Sequence, residues 1–424
     1  MILGNLYSRV TGVLNPDVLY TIGSRVAIMV AGFGAAVLTA RFLGPTGRGE
    51  YYYVVTFAAL LSQFGNLGLQ SSNTYFVAGE SSLLGGLAAN SALVSLLVGG
   101  ILPAGAILLA AGLGWIESAH WSNLLLGCLL ASATLFFLLG SNLLVGINRI
   151  KLYNNFQLVG NFGVLSAILI AAWVHAGVRG FLIAIVIVWL MTALTLLVTV
   201  RNCPHGTLRP SFALIRRGFR YATKAYLGAL LAFLVLRGNV FLLQYLTSSR
   251  ELGYYSIATQ ISDVIGILPV SVALVLFPRL VRDGRGAWHA ALRHLGVIAV
   301  LMLLGVGVAA LLAQPLVLLA FGKVYLASVP ILFCMLPSVF FLGLTAIVSQ
   351  YLAAIGYPKS VITVWALGLV VMAAAGIMLI PSLSGVGAAI SLSIGHLCIF
   401  FLLLGLAFRK ARRLRRLQET VASA

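Results

Sequence analysis

The segment RFLGPTGRGEYY, Arg41–Tyr52, joins two apolar spans within Val18–Val77, and its layout returns as QYLTSSRELGYY, Gln244–Tyr255. A shift of 203 residues pairs Leu43 with Leu246, Tyr51 with Tyr254, Tyr52 with Tyr255 and Thr56 with Thr259. The first copy carries Arg25 inside its first span and a polar stripe of Thr56, Gln63, Asn66 and Gln70 along its second. The second copy carries Arg237 and Asp263 in the corresponding spans. The pattern reads as two copies of one membrane unit with a few ionisable groups buried in it.

Composition agrees. The chain has 424 residues, 61% of them hydrophobic and 8% charged, with a mean hydropathy of +1.08. A soluble domain carries about a quarter charged residues. Residues 1–17 hold Arg9, Asn15, Pro16 and Asp17 with no apolar core and cleavage site, so the first span is expected to act as an uncleaved insertion signal. The four cysteines, Cys128, Cys203, Cys334 and Cys398, are scattered and form no CxxC pair, which supports neither a disulfide framework nor a zinc site. The +19 net charge would suit nucleic acid, but the cations cluster at the ends of apolar spans, which is the topology signal of a membrane protein. No nucleic-acid partner is expected.

Twelve apolar stretches lie near 18–40, 52–76, 84–112, 123–147, 153–173, 178–200, 224–246, 254–278, 296–321, 329–354, 360–380 and 385–408. Each reaches the roughly 20 residues that cross a bilayer as helix. With the N-terminus cytoplasmic, 20 of the 27 Lys and Arg residues fall inside and five outside (Arg41, Arg48, Arg179, Arg250 and Lys323), while Arg25 and Arg237 lie within spans. That bias predicts both termini on the cytoplasmic side of a multi-pass membrane protein. The longest interior connection, Arg201–Thr223, divides the chain into an N-terminal lobe over 1–205 and a C-terminal lobe over 206–408, followed by a basic tail over 409–424. Six spans per half make the two copies parallel. In the linker, Ser211 can cap a helix with Phe212, Ile215 and Phe219 on one side and Arg216, Arg217 and Arg220 nearby. It reads as an interfacial anchor on anionic lipid, or as a gate for a phosphorylated lipid head group.

Charges in hydrocarbon persist where they meet water or one another. Arg237 and Asp263 lie 13 residues either side of position 250, at about the same depth, roughly 15 Å below the outer edge. They form either a structural pair or a cavity site for substrate or a coupling cation. Asp263 continues a stripe of Ser256, Thr259 and Gln260. Arg25 mirrors onto Asn66 and Gln63 across its hairpin and has no acid there, which suits phosphate or an interhelical hydrogen-bond anchor. Asn154, Gln157 and Asn161 form a third stripe, as helix glue or sugar contact. His396 reads as a packing residue. Pro103, Pro269, Pro315 and Pro337 can bend their spans. Gly44, Gly47 and Gly49 imitate a phosphate loop without its lysine, and no HExxH, GxSxG or paired-carboxylate pattern occurs.

ARFLGPTGRGEYYYV (Ala40–Val54), ELGYYSIATQI (Glu251–Ile261), QYLAAIGYPKS (Gln350–Ser360) and LSGVGAAIS (Leu383–Ser391) resemble the polysaccharide flippases, the Wzx-type branch of the MOP superfamily. The resemblance spans both halves. It implies an all-α, MATE-like fold of twelve transmembrane helices in two six-helix lobes around a central cavity. It further implies alternating access that moves an undecaprenyl-diphosphate-linked oligosaccharide to the periplasmic leaflet. Cationic residues line the cavity of related lipid flippases, and Arg25 and Arg237 match them by location. Gln63, Asn66, Asn161 and Gln260 complete the expected substrate-binding set. No cofactor is expected, and a coupling cation, proton or sodium, would fall on Asp263. The expected partners are the lipid-linked oligosaccharide, anionic membrane lipids and polysaccharide assembly proteins. The rivals are a drug or cation exporter of the same superfamily, a membrane glycosyltransferase, ligase or polymerase acting on the same lipid-linked sugars, and a non-transporting scaffold. One buried acid is few for an organic cation, and Glu50, Glu117 and Glu251 stand isolated beside short loops that leave no room for an outer catalytic domain.

Overall fold

The computed structural model describes residues 16–114, 118–204, 207–283, 287–356 and 358–423. Arg9, Glu117 and Arg285 lie outside them. Among the described residues no strand occurs, and the chain is a series of long helices. The first helical stretch, Pro16–Asn66, breaks at Gly44 (φ 66°, ψ 177°) into α1 (16–43) and α2 (45–66). Glycine takes that conformation without steric cost, and Pro45 then starts the new helix at a position where no backbone donor is needed. α2 continues as Leu69–Gly79. α3 runs from Leu84–Val94 through a π-helical turn, Ser95–Ile101, into Leu102–Gly112. Then follow α4 (Ser118–Gly146), α5 (Ile150–Trp173), α6 (Gly177–Arg201), α7 (Phe212–Leu246) and α8 (Ser249–Asp283). α9 (Ala287–Leu316) ends in a π turn over Val317–Phe321, just after Pro315, and α10 spans Ser328–Ala354. The last stretch, Ser360–Ser423, breaks at Ser384 into α11 (360–383) and α12 (385–423).

Nine of these continuous stretches, among the described residues, are long and apolar enough to cross a bilayer. Two of the nine, Gly23–Asn66 and Ser360–Arg413, contain the breaks at Gly44 and Ser384 and so provide two spans each. α8 is a helix of 35 residues outside these nine, and the twelve helices α1 to α12 are consistent with the twelve spans expected from the sequence. The fold is an all-α polytopic membrane protein. Large apolar side chains point outward along it, among them Leu311, Leu319 and Met378, as lipid-facing helices require.

The chain forms two compact units. One comprises the residues up to Leu43 with Val54–Tyr226, and the other Gly44–Tyr53 with the residues from Leu227 onward. The core of the first gathers Leu84, Leu87, Phe136, Phe137, Leu143, Leu144 and Leu196 from α3, α4 and α6. Polar side chains tie its helices together: Ser62 Oγ donates to the Ala131 carbonyl (3.1 Å), and Asn73 Nδ2 to Ser91 Oγ (2.9 Å) and the Leu139 carbonyl (3.3 Å). These are the hydrogen bonds that hold helices where apolar burial gives no preference between lipid and neighbour.

The linker is fixed to this unit. Asn90 of α3 brackets Ser211, donating through Nδ2 to its carbonyl (2.9 Å) and accepting from its N–H at Oδ1 (2.8 Å). The Arg217 guanidinium lies 4.6 Å from the Phe76 ring centroid. Asn90→Ala removes both linker bonds and costs about 1–3 kcal/mol locally. Limited proteolysis between residues 201 and 212 is expected to speed up roughly tenfold, while the transmembrane helices stay protected.

In the second unit, Pro337 cannot continue the backbone ladder of α10, and a hydroxyl from α12 repairs the region next to it. Ser393 Oγ accepts from the Ser338 N–H (3.2 Å) and donates to the Cys334 carbonyl (2.7 Å), standing where the direct helical bond would run. The His396 ring is fully buried, with Nδ1 2.7 Å from Ser338 Oγ, so this histidine packs α12 against α10 as expected. Glu251 accepts the Gly385 N–H at the start of α12 (3.4 Å), which places a carboxylate at a helix N-terminus and accounts for one isolated acid.

Candidate functional site

Three groupings bear the polar chemistry of the spans. The first, in the second unit, is the pair foreseen from depth. Arg237 Nη2 donates to Asp263 Oδ2 at 2.7 Å, with the two side chains 20% and 41% exposed. Arg237 Nη1 also donates to the Tyr52 hydroxyl at 3.1 Å. The guanidinium has five N–H groups, so three are left for a ligand. The sequence did not point to Tyr52 here, although the repeat matched it to Tyr255. Gln260 stands half-buried on the same stripe of α8. Two residues beyond Arg237, buried Asn239 donates to the Ala388 carbonyl (2.8 Å) and to Ser391 Oγ (3.0 Å) on α12. Its Oδ1, the Tyr255 hydroxyl and Ser262 Oγ are buried, and Tyr255 faces Asn239.

Segment 44–53, which delivers Tyr52, is built tightly into the second unit. A Cβ on Gly49 would fall 1.7 Å from the Ser249 carbonyl oxygen, and one on Gly253 would fall 1.9 Å from the Pro45 carbonyl oxygen, so the backbones touch where only glycine fits. Arg48 is buried, donates through Nε to Ser256 Oγ (3.2 Å) and lies over the rings of Tyr51 and Tyr52 at 5.7 and 5.8 Å. Tyr53 meets Phe241 of α7 edge-on. Of the glycines that imitate a phosphate loop, Gly49 is thus a packing position and Gly44 the helix break.

The third grouping is the seam of α1 and α5 in the first unit. Asn154 Nδ2 donates to Thr21 Oγ1 (2.8 Å), Tyr20 bonds Asn155, and a Cβ on Gly34 would touch Leu165 at 3.4 Å. These contacts set the helices parallel and in step, which brings Arg25 level with Gln157. Arg25 is exposed and, among the described residues, has no hydrogen bond or ion pair. Gln157 reaches the Tyr153 hydroxyl (3.3 Å), and Asn161 donates to the Gln157 carbonyl (2.8 Å). The expected cluster of Arg25 with Gln63 and Asn66 is not formed by hydrogen bonds. Asn66 is buried and bonds Gln70 through both its amide atoms (3.1 and 3.4 Å), and Gln63 is half-buried. Mirroring across a hairpin assumes straight helices about one midpoint, whereas this chain breaks at Gly44 and turns 44–53 into the other unit.

Residues 14–282 match the family model described as "Polysaccharide biosynthesis protein". The chain belongs to this family. No curated protein matches it. Among solved structures it is similar to an inward-facing multidrug resistance MATE family transporter of the MOP superfamily (15% identity, TM-score 0.74, covering 92% of this chain and 96% of that one). It is similar to the lipid II flippase MurJ in an inward closed conformation (15% identity, TM-score 0.72, 91% and 87%). A MOP superfamily transporter from Pyrococcus furiosus Vc1, titled for the reverse polarity of its binding pocket, also shares the fold (14% identity, TM-score 0.65, 95% and 97%). These likenesses show the fold alone, and the family match agrees with the resemblance read from the motifs. The solved structures that share the fold are named as transporters and a flippase.

Proposed function

We propose that this family member is a flippase that carries an undecaprenyl-diphosphate-linked oligosaccharide from the cytoplasmic to the periplasmic leaflet of a bacterial inner membrane by alternating access. The observation that carries the reading is the charge balance within the spans. Arg25 stands exposed and unpartnered among the described residues, and Arg237 keeps three N–H groups after serving Asp263 and Tyr52. An arginine inside hydrocarbon is costly unless water or a ligand meets it, and the guanidinium fork matches phosphate. A glycan cannot cross lipid unaided, because each unpaired hydroxyl costs several kcal/mol. Asn161, Gln157, Gln260, Gln63 and Asn66 would replace water for it while the lipid tail stays in the bilayer.

In this reading both termini are cytoplasmic, and the exposed Arg209, Arg216 and Arg220 of the linker rest on anionic lipid. Asp263 is the candidate for coupling to a proton or sodium ion, which would compete with Arg237 for the carboxylate. Polysaccharide assembly proteins would receive the product. A cation exporter of the same fold is disfavoured because the Asp263 carboxylate is already engaged by an arginine. The test is ligand selectivity of the purified full-length protein in nanodiscs. Farnesyl diphosphate is expected to bind and tetraphenylphosphonium is not. Tight binding of the cation with none of the diphosphate would overturn the reading.

A further inference from the structure

Tyr52 is not needed to neutralise Arg237, because Asp263 does that at 2.7 Å. Its phenol oxygen accepts from Arg237 Nη1, so the hydroxyl hydrogen remains to donate, and among the described residues it has no acceptor. The hydroxyl therefore stands beside the three unspent N–H groups of the guanidinium as one more donor. A phenol polarised by a cation at its oxygen is a good donor to an anion. Tyr52 also differs from Arg237 in how it gets there. It belongs to segment 44–53, which is held on α7 and α8 by Arg48, by Tyr53 against Phe241 and by the glycine contacts, and which continues at both ends into α1 and α2.

We propose that Tyr52 is a ligand-binding residue of the Arg237 site: its hydroxyl donates to the same anionic oxygen cluster that Arg237 grips, so that the site is complete only while segment 44–53 is docked. This rests on the reading that Arg237 holds the diphosphate. Linkage then works in both directions, and by the same factor. The docked segment raises affinity for the anion, and the bound anion holds the segment down, steadying the adjoining ends of α1 and α2 until the anion leaves. The ligand class follows from the donors: a diphosphate or comparably dense oxyanion, met by the cationic N–H groups of Arg237 and the O–H of Tyr52.

The test uses the full-length protein in nanodiscs, with farnesyl diphosphate as the ligand and two readouts: its dissociation constant and hydrogen–deuterium exchange of residues 44–53. Wild type is expected to show slower exchange in that segment when the diphosphate is bound. Tyr52→Phe is expected to weaken binding about tenfold and to abolish the ligand-induced slowing, whereas Tyr53→Phe changes neither. A purely structural tyrosine would change basal exchange and leave the ligand-induced difference intact. If Arg237→Ala weakens binding while Tyr52→Phe binds and protects as wild type does, Tyr52 has no such role and the Arg237 reading stands. If Arg237→Ala binds as wild type does, that reading fails and this one with it. Should Tyr52→Phe not fold, Arg48→Lys carries the test. It removes the Nε–Ser256 bond and the guanidinium over the Tyr51 and Tyr52 rings while keeping the Tyr52 hydroxyl, and it is expected to speed basal exchange and weaken the diphosphate severalfold. Unchanged affinity with a loosened segment would overturn the linkage.

Discussion

On the proposed function, Arg25→Ala is expected to lower the rate of lipid-linked oligosaccharide translocation by about 10- to 100-fold. Removing a guanidinium that makes charge-assisted hydrogen bonds to a phosphate costs roughly 1.5–3 kcal/mol, and each 1.4 kcal/mol is a factor of ten. Arg25 is the sharper test of the two arginines, because it is exposed and, among the described residues, its loss breaks no hydrogen bond or ion pair. The fold should survive with an unchanged melting temperature. Arg25→Lys retains the charge but not the fork, and it is expected to recover part of the rate. Initial rates in vesicles reconstituted with each variant check this. A wild-type rate for Arg25→Ala would remove Arg25 from the path.

Gly49→Val and Gly253→Val are expected to have the largest effects on stability. Each puts a side chain where a backbone carbonyl oxygen already lies, at 1.7 and 1.9 Å from the new Cβ, and backbone cannot step aside as a flexible side chain can. The overlap forces segment 44–53 off α8. It therefore takes with it Arg48–Ser256 and Tyr52–Arg237, a combined cost of more than about 3 kcal/mol. The melting temperature in detergent should fall by at least about 3 °C, or the protein should fail to accumulate. Gly266→Ala is the matched control on the same helix, since no atom lies within 4 Å of its would-be Cβ. It should be neutral or slightly stabilising. Wild-type melting of both valine variants would mean the close approach does not exist in the folded protein.

Some of this was legible in the sequence because it is local. Hydropathy and the tyrosine repeat show the spans, and counting residues from the middle of one hairpin places Arg237 opposite Asp263, which the 2.7 Å ion pair bears out. The same count misplaced Arg25, because α1 takes its polar partners from α5, more than 100 residues away, through Thr21–Asn154 and Tyr20–Asn155. Tyr52 and Asn239 were missed for a related reason. Their partners lie on α7 and α12, and no periodicity within α2 or α7 reports on them. Gly49 and Gly253 were visible as glycines, yet a small residue says only that close approach is allowed, not what approaches. The Ser393 relay beside Pro337 was hidden in the same way: the proline marks the broken ladder, and nothing in the sequence says which hydroxyl repairs it.

The measurement that bears most directly on the central claim is the leaflet distribution of lipid-linked oligosaccharide in cells depleted of this protein. Full-length repeat units are expected to accumulate facing the cytoplasm and to clear when the wild-type chain, but not the Arg25→Ala, Arg237→Ala double variant, is restored. Finished units reaching the periplasmic leaflet at the normal rate in depleted cells would contradict the account.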